Sequence, residues 1–214
     1  MNNNLFDNLN DFLITELNKL NIKFNNEIIT KLIYFTYLLH KWNKTYNLTS
    51  ITDPKDMIIK HIIDSVIGYK YYNGNNILDV GTGPGLPGIP LAIIFNDKKF
   101  YLLDSRLKRI NFIKHAIREL KLSNVIPILS RCEEYNPSIN IDCITSRAFA
   151  SLKDMILLTK HITKNNNCYY LALKGDIKAD EILDIPDDFK IVDNIKLNTP
   201  LNLGNRCLIK ITKV

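Results

Sequence analysis

The chain has 214 residues, 46% of them hydrophobic and 23% charged, with a formal net charge of +6 and a sequence pI of about 9.0. These values exclude a collagen-like or wholly disordered protein, and the length suits one substantial core with an appended element rather than two full domains. The basic balance fits an anionic partner such as nucleic acid without requiring one, because the chain is rich in Lys, Asn and Ile throughout.

Cys132, Cys143, Cys168 and Cys207 are too widely spaced for a Cys-x-x-Cys metal or redox pair and read as reduced, mostly buried thiols. No apolar run reaches transmembrane length, and the Asn-rich start at Met1 to Asn4 lacks a signal core. A soluble, cytoplasmic monomer without a membrane partner is expected.

Leu5, Phe6, Leu9, Phe12, Leu13, Leu17 and Leu20 recur at helical spacing, and a stronger series runs from Ile28 through Leu32, Phe35 and Leu39 to Trp42. Two packed helices therefore come first, with Asn25 or Asn26 as cap of the second and Glu27 in its first turn. Tyr46 to Thr52 has neither period and reads as a loop. Asp53-Pro54 then supplies an N-cap and a first-turn proline for a third helix, running to about Ile67 by the spacing of Met57, Ile58, Ile62, Ile63 and Val66. His61 and Asp64 share a face of that helix at i, i+3. A buried hydrogen-bonded pair is expected there, since a metal site lacks further ligands.

From Ile77 the rhythm changes to short apolar runs separated by helices, the pattern of a parallel sheet wound by crossover helices. Strands are predicted at Ile77 to Val80, Phe100 to Leu103, Val125 to Leu129, Ile141 to Thr145 and Cys168 to Leu173. Helices are predicted near Gly88 to Phe95, Arg106 to Leu120 and Leu152 to His161. Phe189 to Leu197 and Arg206 to Ile211 close the set without an intervening helix, which predicts a hairpin and one antiparallel partner in a seven-stranded, mostly parallel α/β sheet. The division is a helical segment over residues 1–74, packed on the core, and an α/β domain over residues 75–214. The Lys164 to Asn167 tract reads as a mobile polar loop.

The densest motif is Gly83-x-Gly85-x-x-Gly88, directly after the first predicted strand and before a helix start, the context a nucleotide-binding turn needs. Glycine lets the backbone take positive φ and come within contact distance of a ligand, and Pro87 or Pro90 can occupy the first helical turn. Asp79 narrows the ligand, because a carboxylate two residues before Gly81 would repel a pyrophosphate but attract an ammonium and favour a sulfonium. The Gly-Lys-Ser/Thr ending of a phosphate-binding loop is absent. S-adenosylmethionine is favoured over a nicotinamide cofactor, whose oxidoreductase reading explains the glycines but not Asp79.

In open parallel sheets ligands lie outside the carboxyl ends of the strands. Asp104 ends the second strand 23 positions after Gly81, a spacing that suits an acceptor for ribose hydroxyls or a helix cap. Near Cys132 and Glu133 a backbone N–H and a carboxylate could meet an adenine edge, unless the turn is only solvated. Arg147 follows the fourth strand and reads as a cofactor, phosphate or base contact or a structural ion pair. An Asn/Asp-Pro-Pro-Tyr/Phe motif and a cysteine nucleophile are both absent there. An acceptor with its own in-plane lone pair, such as guanine N7, needs neither. Arg106, Lys108, Arg109, Lys114, Arg118 and Lys121 crowd one helix, and Lys41 and Lys44 flank Trp42. These stripes could track phosphates or simply be solvated.

His40-Lys41-Trp42-Asn43-Lys44, Tyr46-Asn47-Leu48-Thr49-Ser50, Asp53-Pro54, His61-Ile62-Ile63-Asp64-Ser65, the run Asp79 to Pro90, Leu103-Asp104-Ser105 with Lys108-Arg109, Ser146-Arg147-Ala148-Phe149-Ala150 and Ala172-Leu173-Lys174-Gly175 together give the chain a close resemblance to the RsmG (GidB) family of bacterial ribosomal RNA methyltransferases. It implies a Rossmann-like class I S-adenosylmethionine-dependent methyltransferase fold. The implied activity is methylation of guanine N7 in the decoding-region hairpin of 16S ribosomal RNA, free or in the 30S subunit. Carried over by position, it implies cofactor contacts at Gly81, Leu86, Cys132, Glu133 and Arg147, to which the residue chemistry adds Asp79, Gly83 and Asp104. Cys132 departs from the small or aliphatic residue usual there, a change that a backbone contact tolerates. A non-catalytic assembly factor that binds S-adenosylmethionine and RNA would explain the pocket and the charge equally well.

Overall fold

Helices α1 (Leu9–Lys19) and α2 (Asn26–Tyr46) turn their apolar stripes inward, burying Leu9, Leu13 and Leu17 of the first and Leu32, Phe35 and Leu39 of the second. The computed structural model describes residues 8–147, 149, 151–163, 168–200 and 203–214. The expectations placed on Leu5, Phe6 and the Lys164 to Asn167 tract lie outside them, as do Ala148 and Ala150. Asn25 caps α2 by accepting from the Ile28 N–H at 2.9 Å. Asp53 starts the next rod in the same way, accepting from the Asp56 N–H at 2.9 Å with Pro54 in the first turn.

That rod departs from the single α-helix that its spacing predicts. It consists of α3 (Pro54–Met57), a π-helical segment (Ile58–Ile63) and α4 (Asp64–Val66). Met57, Ile58, Ile62, Ile63 and Val66 are all fully buried, so the rod is enclosed rather than amphipathic, and its apolar spacing cannot distinguish an α-turn from the wider π-turn.

The sheet contains β1 (Asn76–Val80), β2 (Lys99–Asp104), β3 (Val125–Leu129), β4 (Cys143–Arg147), β5 (Tyr169–Lys174), β6 (Phe189–Leu197) and β7 (Arg206–Lys213), in the spatial order β3-β2-β1-β4-β5-β7-β6. All pairings are parallel except those of β7, which runs antiparallel to both β5 and β6, so the predicted hairpin is present. The order reverses between β1 and β4, and the carboxyl ends of these neighbours flank the crevice where such sheets bind ligands. Crossovers are α5 (Gly88–Ile94), α6 (Leu107–Leu120) and α7 (Leu152–Thr159), while α8 (Ala179–Leu183) is a short helix that the sequence reading omits.

One apolar cluster joins α1, α2 and the rod to α5, α6 and one face of the sheet, and a second lies under α7 on the other face. The first is stitched by rings: Phe112 of α6 lies 6.0 Å from Phe35 and 5.6 Å from Trp42, centroid to centroid. Trp42 also lies 5.0 Å from His115, so it serves as a packing residue between elements as well as a neighbour of Lys41 and Lys44. Among the described residues no helix is long and apolar enough to cross a membrane, and the four cysteines are free.

Candidate cofactor and substrate site

The turn after β1 hangs from the end of β2. The Thr82 N–H donates to Leu103 O at 3.1 Å, and the Gly83 N–H donates to Asp104 Oδ2 at 3.0 Å. Gly81, Gly83 and Gly85 all have positive φ, which brings bare backbone to the mouth of the crevice. At Gly83 (φ +61°) an added Cβ would meet nothing within 4 Å, so the space before it is open. Gly88 is the opposite case. There a Cβ would run into Leu102 and come within 2.8 Å of Asp79 Oδ2, so α5 can begin this close to β1 and β2 only with glycine.

Asp79 stands behind this turn. Its carboxylate is fully buried, with Oδ2 accepting from Thr82 Oγ1 at 2.6 Å and from the Gly88 N–H at 2.9 Å. It therefore braces the loop from within, whereas the sequence reading gives it direct attraction for a ligand. Burial outweighs the two donors and pushes its pKa up to about 7, and among the described residues Oδ1 has no hydrogen-bond partner. An orphaned acceptor in the residue that braces the glycine turn favours a positive charge near that turn when the carboxyl is ionised.

The other seven sequence-predicted residues line two adjoining cavities. The first, about 260 Å³, is walled by Gly81, Asp104, Arg109, Cys132 and Glu133. Asp104 is nearly fully buried and accepts from the Gly83 N–H, from Arg109 Nη1 at 2.9 Å and, through Oδ1, from the Arg106 N–H at 2.9 Å. Of the two readings, the structure gives the cavity-facing one: Arg106 is the N-cap of α6 and makes no side-chain cap bond, and the backbone N–H that Asp104 bonds there is that of Arg106, ahead of the helix. About four acceptor positions on a carboxylate leave one for a hydroxyl donor. Cys132 is half-buried, and burial with the neighbouring Glu133 raises its thiol to about 11, so it stays protonated and inert.

The second cavity, about 340 Å³, shares Gly81 and Arg109 with the first and adds Gly83, Leu86, Thr49, His61 and Arg147. Arg147 closes β4 itself rather than the loop after it. Its Nη1 donates to Lys60 O at 2.8 Å, a carbonyl of the π-turn, and lies 3.2 Å from Asp64 Oδ2. Its Nη2 is 3.4 Å from His61 Nδ1. The predicted His61–Asp64 pair is thus replaced by separate partners: His61 Nε2 meets Thr49 Oγ1 at 2.8 Å, Asp64 meets two arginines, and Arg147 lies against both residues. Burial, reinforced by the Arg147 charge, lowers His61 to about 4 and keeps it neutral.

S-adenosylmethionine fits this set. The acceptor of Asp104 suits ribose hydroxyls, the Cys132–Glu133 backbone and carboxylate suit an adenine edge, and the open glycine turn with Asp79 behind it suits a cationic amino-acid tail. Thr49 and Thr82 join the site without a role assigned to them from sequence, and Arg109 reads from sequence as part of a basic stripe and of a segment shared with the family, not as a site residue. Its position five residues after Asp104, in the first turn of the following helix, is the signal that finds it.

The family model for rRNA small subunit methyltransferase G matches residues 28–209. Proteins named ribosomal RNA small subunit methyltransferase G include one from Mannheimia succiniciproducens, 53% identical over 86% of this chain and 86% of its own length. Another, from Actinobacillus succinogenes, is 49% identical over 99% of this chain and 100% of its own length. Among solved structures, magnesium protoporphyrin IX methyltransferase from Synechocystis with bound SAM superposes with TM-score 0.59 at 14% identity, covering 90% of this chain and 99% of that one. A SAM-dependent methyltransferase from Aquifex aeolicus gives 0.56 at 15%, covering 78% and 97%. These two likenesses establish the Rossmann-like methyltransferase fold. The family model and the near-full-length relatives establish more, and this chain belongs to the rRNA small subunit methyltransferase G family.

Proposed function

We propose that the chain transfers a methyl group from S-adenosylmethionine to N7 of one guanine in the decoding-region hairpin of 16S ribosomal RNA, acting as a cytoplasmic monomer on the RNA or the 30S subunit. The observation that carries the choice of acceptor atom is the lack, among the described residues, of a free proton acceptor at the Arg147 end of the crevice. Asp79 is sealed behind the turn, Asp104 is held by three donors, Asp64 is bonded to two arginines, and both ring nitrogens of His61 are engaged, Nε2 by Thr49 Oγ1 and Nδ1 by Lys60 O. An exocyclic amine would need such a base, whereas N7 attacks with a lone pair it already has.

S-adenosylmethionine supplies an electrophilic methyl group. The protein's part is to hold the sulfonium over the glycine turn, to bring the purine edge in line, and to exclude water. Cys132 and Glu133 would fix the adenine, Asp104 the ribose, and Gly81, Gly83, Leu86 and Arg147 the methionine end. Neutral His61 adds no second positive charge beside Arg147 as positive charge passes to the purine ring.

The test is transfer of labelled methyl to 16S RNA from cells lacking the gene, followed by nuclease digestion and mass spectrometry. 7-Methylguanosine at a single position is the expected product. Cofactor binding without transfer to RNA or to 30S particles would leave the binding-factor reading instead.

A further inference from the structure

A third cavity, about 480 Å³, opens beyond Arg147, and it shares His61 and Arg147 with the methionine end of the crevice. Its floor is the carboxyl end of β5, at Leu173 and Lys174, and its far wall is Arg206 at the start of β7. The size falls within the roughly 300–1,000 Å³ of small-molecule sites. Its lining combines aliphatic surface from Ile51, Leu173 and Leu203 with cationic groups.

The charges do not cancel. Lys60 is matched by Asp56 at 2.8 Å and Lys174 by Glu181 at 2.7 Å, but Arg147 and Arg206 share the single carboxylate of Asp64, at 3.2 and 2.7 Å. One positive charge is therefore in excess around a concave space. Arg206 spends Nε on Asp64 and one Nη1 donor on Asn205 O at 2.9 Å. A guanidinium carries five N–H donors in a planar fork, so three remain at the cavity wall.

Resting on the methyl-transfer reading above, we propose that this cavity is the acceptor subsite, holding an unstacked purine nucleotide of the RNA with its base against Ile51, Leu173 and Leu203 and its phosphate on Arg206. The major groove that carries guanine N7 is deep and narrow in A-form RNA, so a purine splayed out of its helix is the form that presents that edge, and aliphatic walls with a guanidinium at the rim suit a flat base carrying a phosphodiester. Two shared wall residues place this space directly beside the crevice from which the methyl group would come. Asp64 stations both arginines at this cavity, and Arg147 borders the crevice as well.

The test uses the full-length protein with undermethylated 30S particles or 16S RNA. Arg206→Gln leaves Asp64 its bond to Arg147, and Ile51→Trp narrows the cavity from the opposite wall. For Arg206→Gln the expected result is unchanged S-adenosylmethionine affinity by calorimetry and a KM for RNA at least tenfold higher. The slope of log(kcat/KM) against log[salt] becomes shallower by about 1, the signature of one lost phosphate contact. Ile51→Trp is expected to lower kcat/KM with cofactor affinity retained. An unchanged RNA KM and salt slope in Arg206→Gln overturns the subsite, and so does a parallel loss of cofactor affinity, which would make Arg206 only a prop for Arg147. If the wild-type protein transfers no methyl to RNA, the functional reading fails separately. Ligand-detected NMR with guanosine 5′-monophosphate then decides the subsite, since binding that Arg206→Gln abolishes supports it and binding that ignores the substitution ends it.

Discussion

Gly83 and His61 show how much a single position decides in this site. Gly83 has φ +61° and open space where a side chain would stand. Gly83→Val would strain the backbone by roughly 1–3 kcal/mol and project two methyls into the methionine end of the crevice. S-adenosylmethionine affinity is expected to fall about 10- to 100-fold or more by calorimetric titration, with the far-ultraviolet circular dichroism of the variant unchanged. Wild-type affinity in the folded variant would show that the ligand lies elsewhere.

His61 is depressed from 6.5 to about 4, so the unfolded chain binds its proton more readily. The stability it contributes is complete above pH 6.5 and is lost as pH falls through about 4, with a slope of up to about 1.4 kcal/mol per unit. Asp79, raised from 3.8 to about 7, acts in the opposite sense, contributing stability below 3.8 that is lost as pH rises through 7. The two overlap, so the wild-type profile hides both. Urea unfolding of His61→Gln between pH 4 and 7 should lack the acid-side loss and show stability rising as pH falls. A variant profile parallel to the wild type would mean that the imidazole is not held neutral.

The glycines, Asp104 and Arg147 were legible as site residues because chain order alone puts them at strand ends. The inward turn of Asp79 was not legible, because only the packing of Gly88 against it reveals which way the carboxylate points.

At the scale of elements, the seam between α2 and α6 joins the N-terminal helices to the sheet. Phe112 is fully buried there between Phe35 and Trp42. Phe112→Ala is expected to cost about 3–5 kcal/mol, the range for a large buried aromatic. The chain's one tryptophan lies on this seam and reports on it directly. Denaturation followed by Trp42 fluorescence and by circular dichroism should give coincident curves that shift together, because a single apolar cluster spans both parts. Separated curves would show the helical segment, residues 1–74, unfolding as a unit of its own.

Strand positions were readable because they are short buried runs. Helix α8 was not: none of its residues is buried, and Leu183 is 82% exposed, so no apolar stripe marks it. The π-turn escaped for the reverse reason, since burial on every side erases the period that would have dated the turns.

Across the whole molecule, the alternation of strand and helix was enough to predict a parallel sheet with a terminal hairpin, and the observed order with β7 inserted antiparallel agrees. The same reading could not predict that Asp64, early in the chain, would lie between arginines from β4 and β7, 83 and 142 residues away in sequence. That contact depends on where two distant elements pack, and no local pattern encodes it.

The wide turn in the rod sets Asp64 in place, and its consequence concerns inheritance. Six residues at the wider π spacing turn through nearly the same angle as five at the α spacing, so deleting one residue between Ile58 and Ile63 would restore an ordinary helix and leave Asp64 facing both guanidinium groups. The loss of that one position therefore leaves the tie between helices and strands intact, because the wide turn takes up the difference. Lineages carrying this architecture should therefore tolerate one residue fewer here, with an ordinary helix in place of the wide turn.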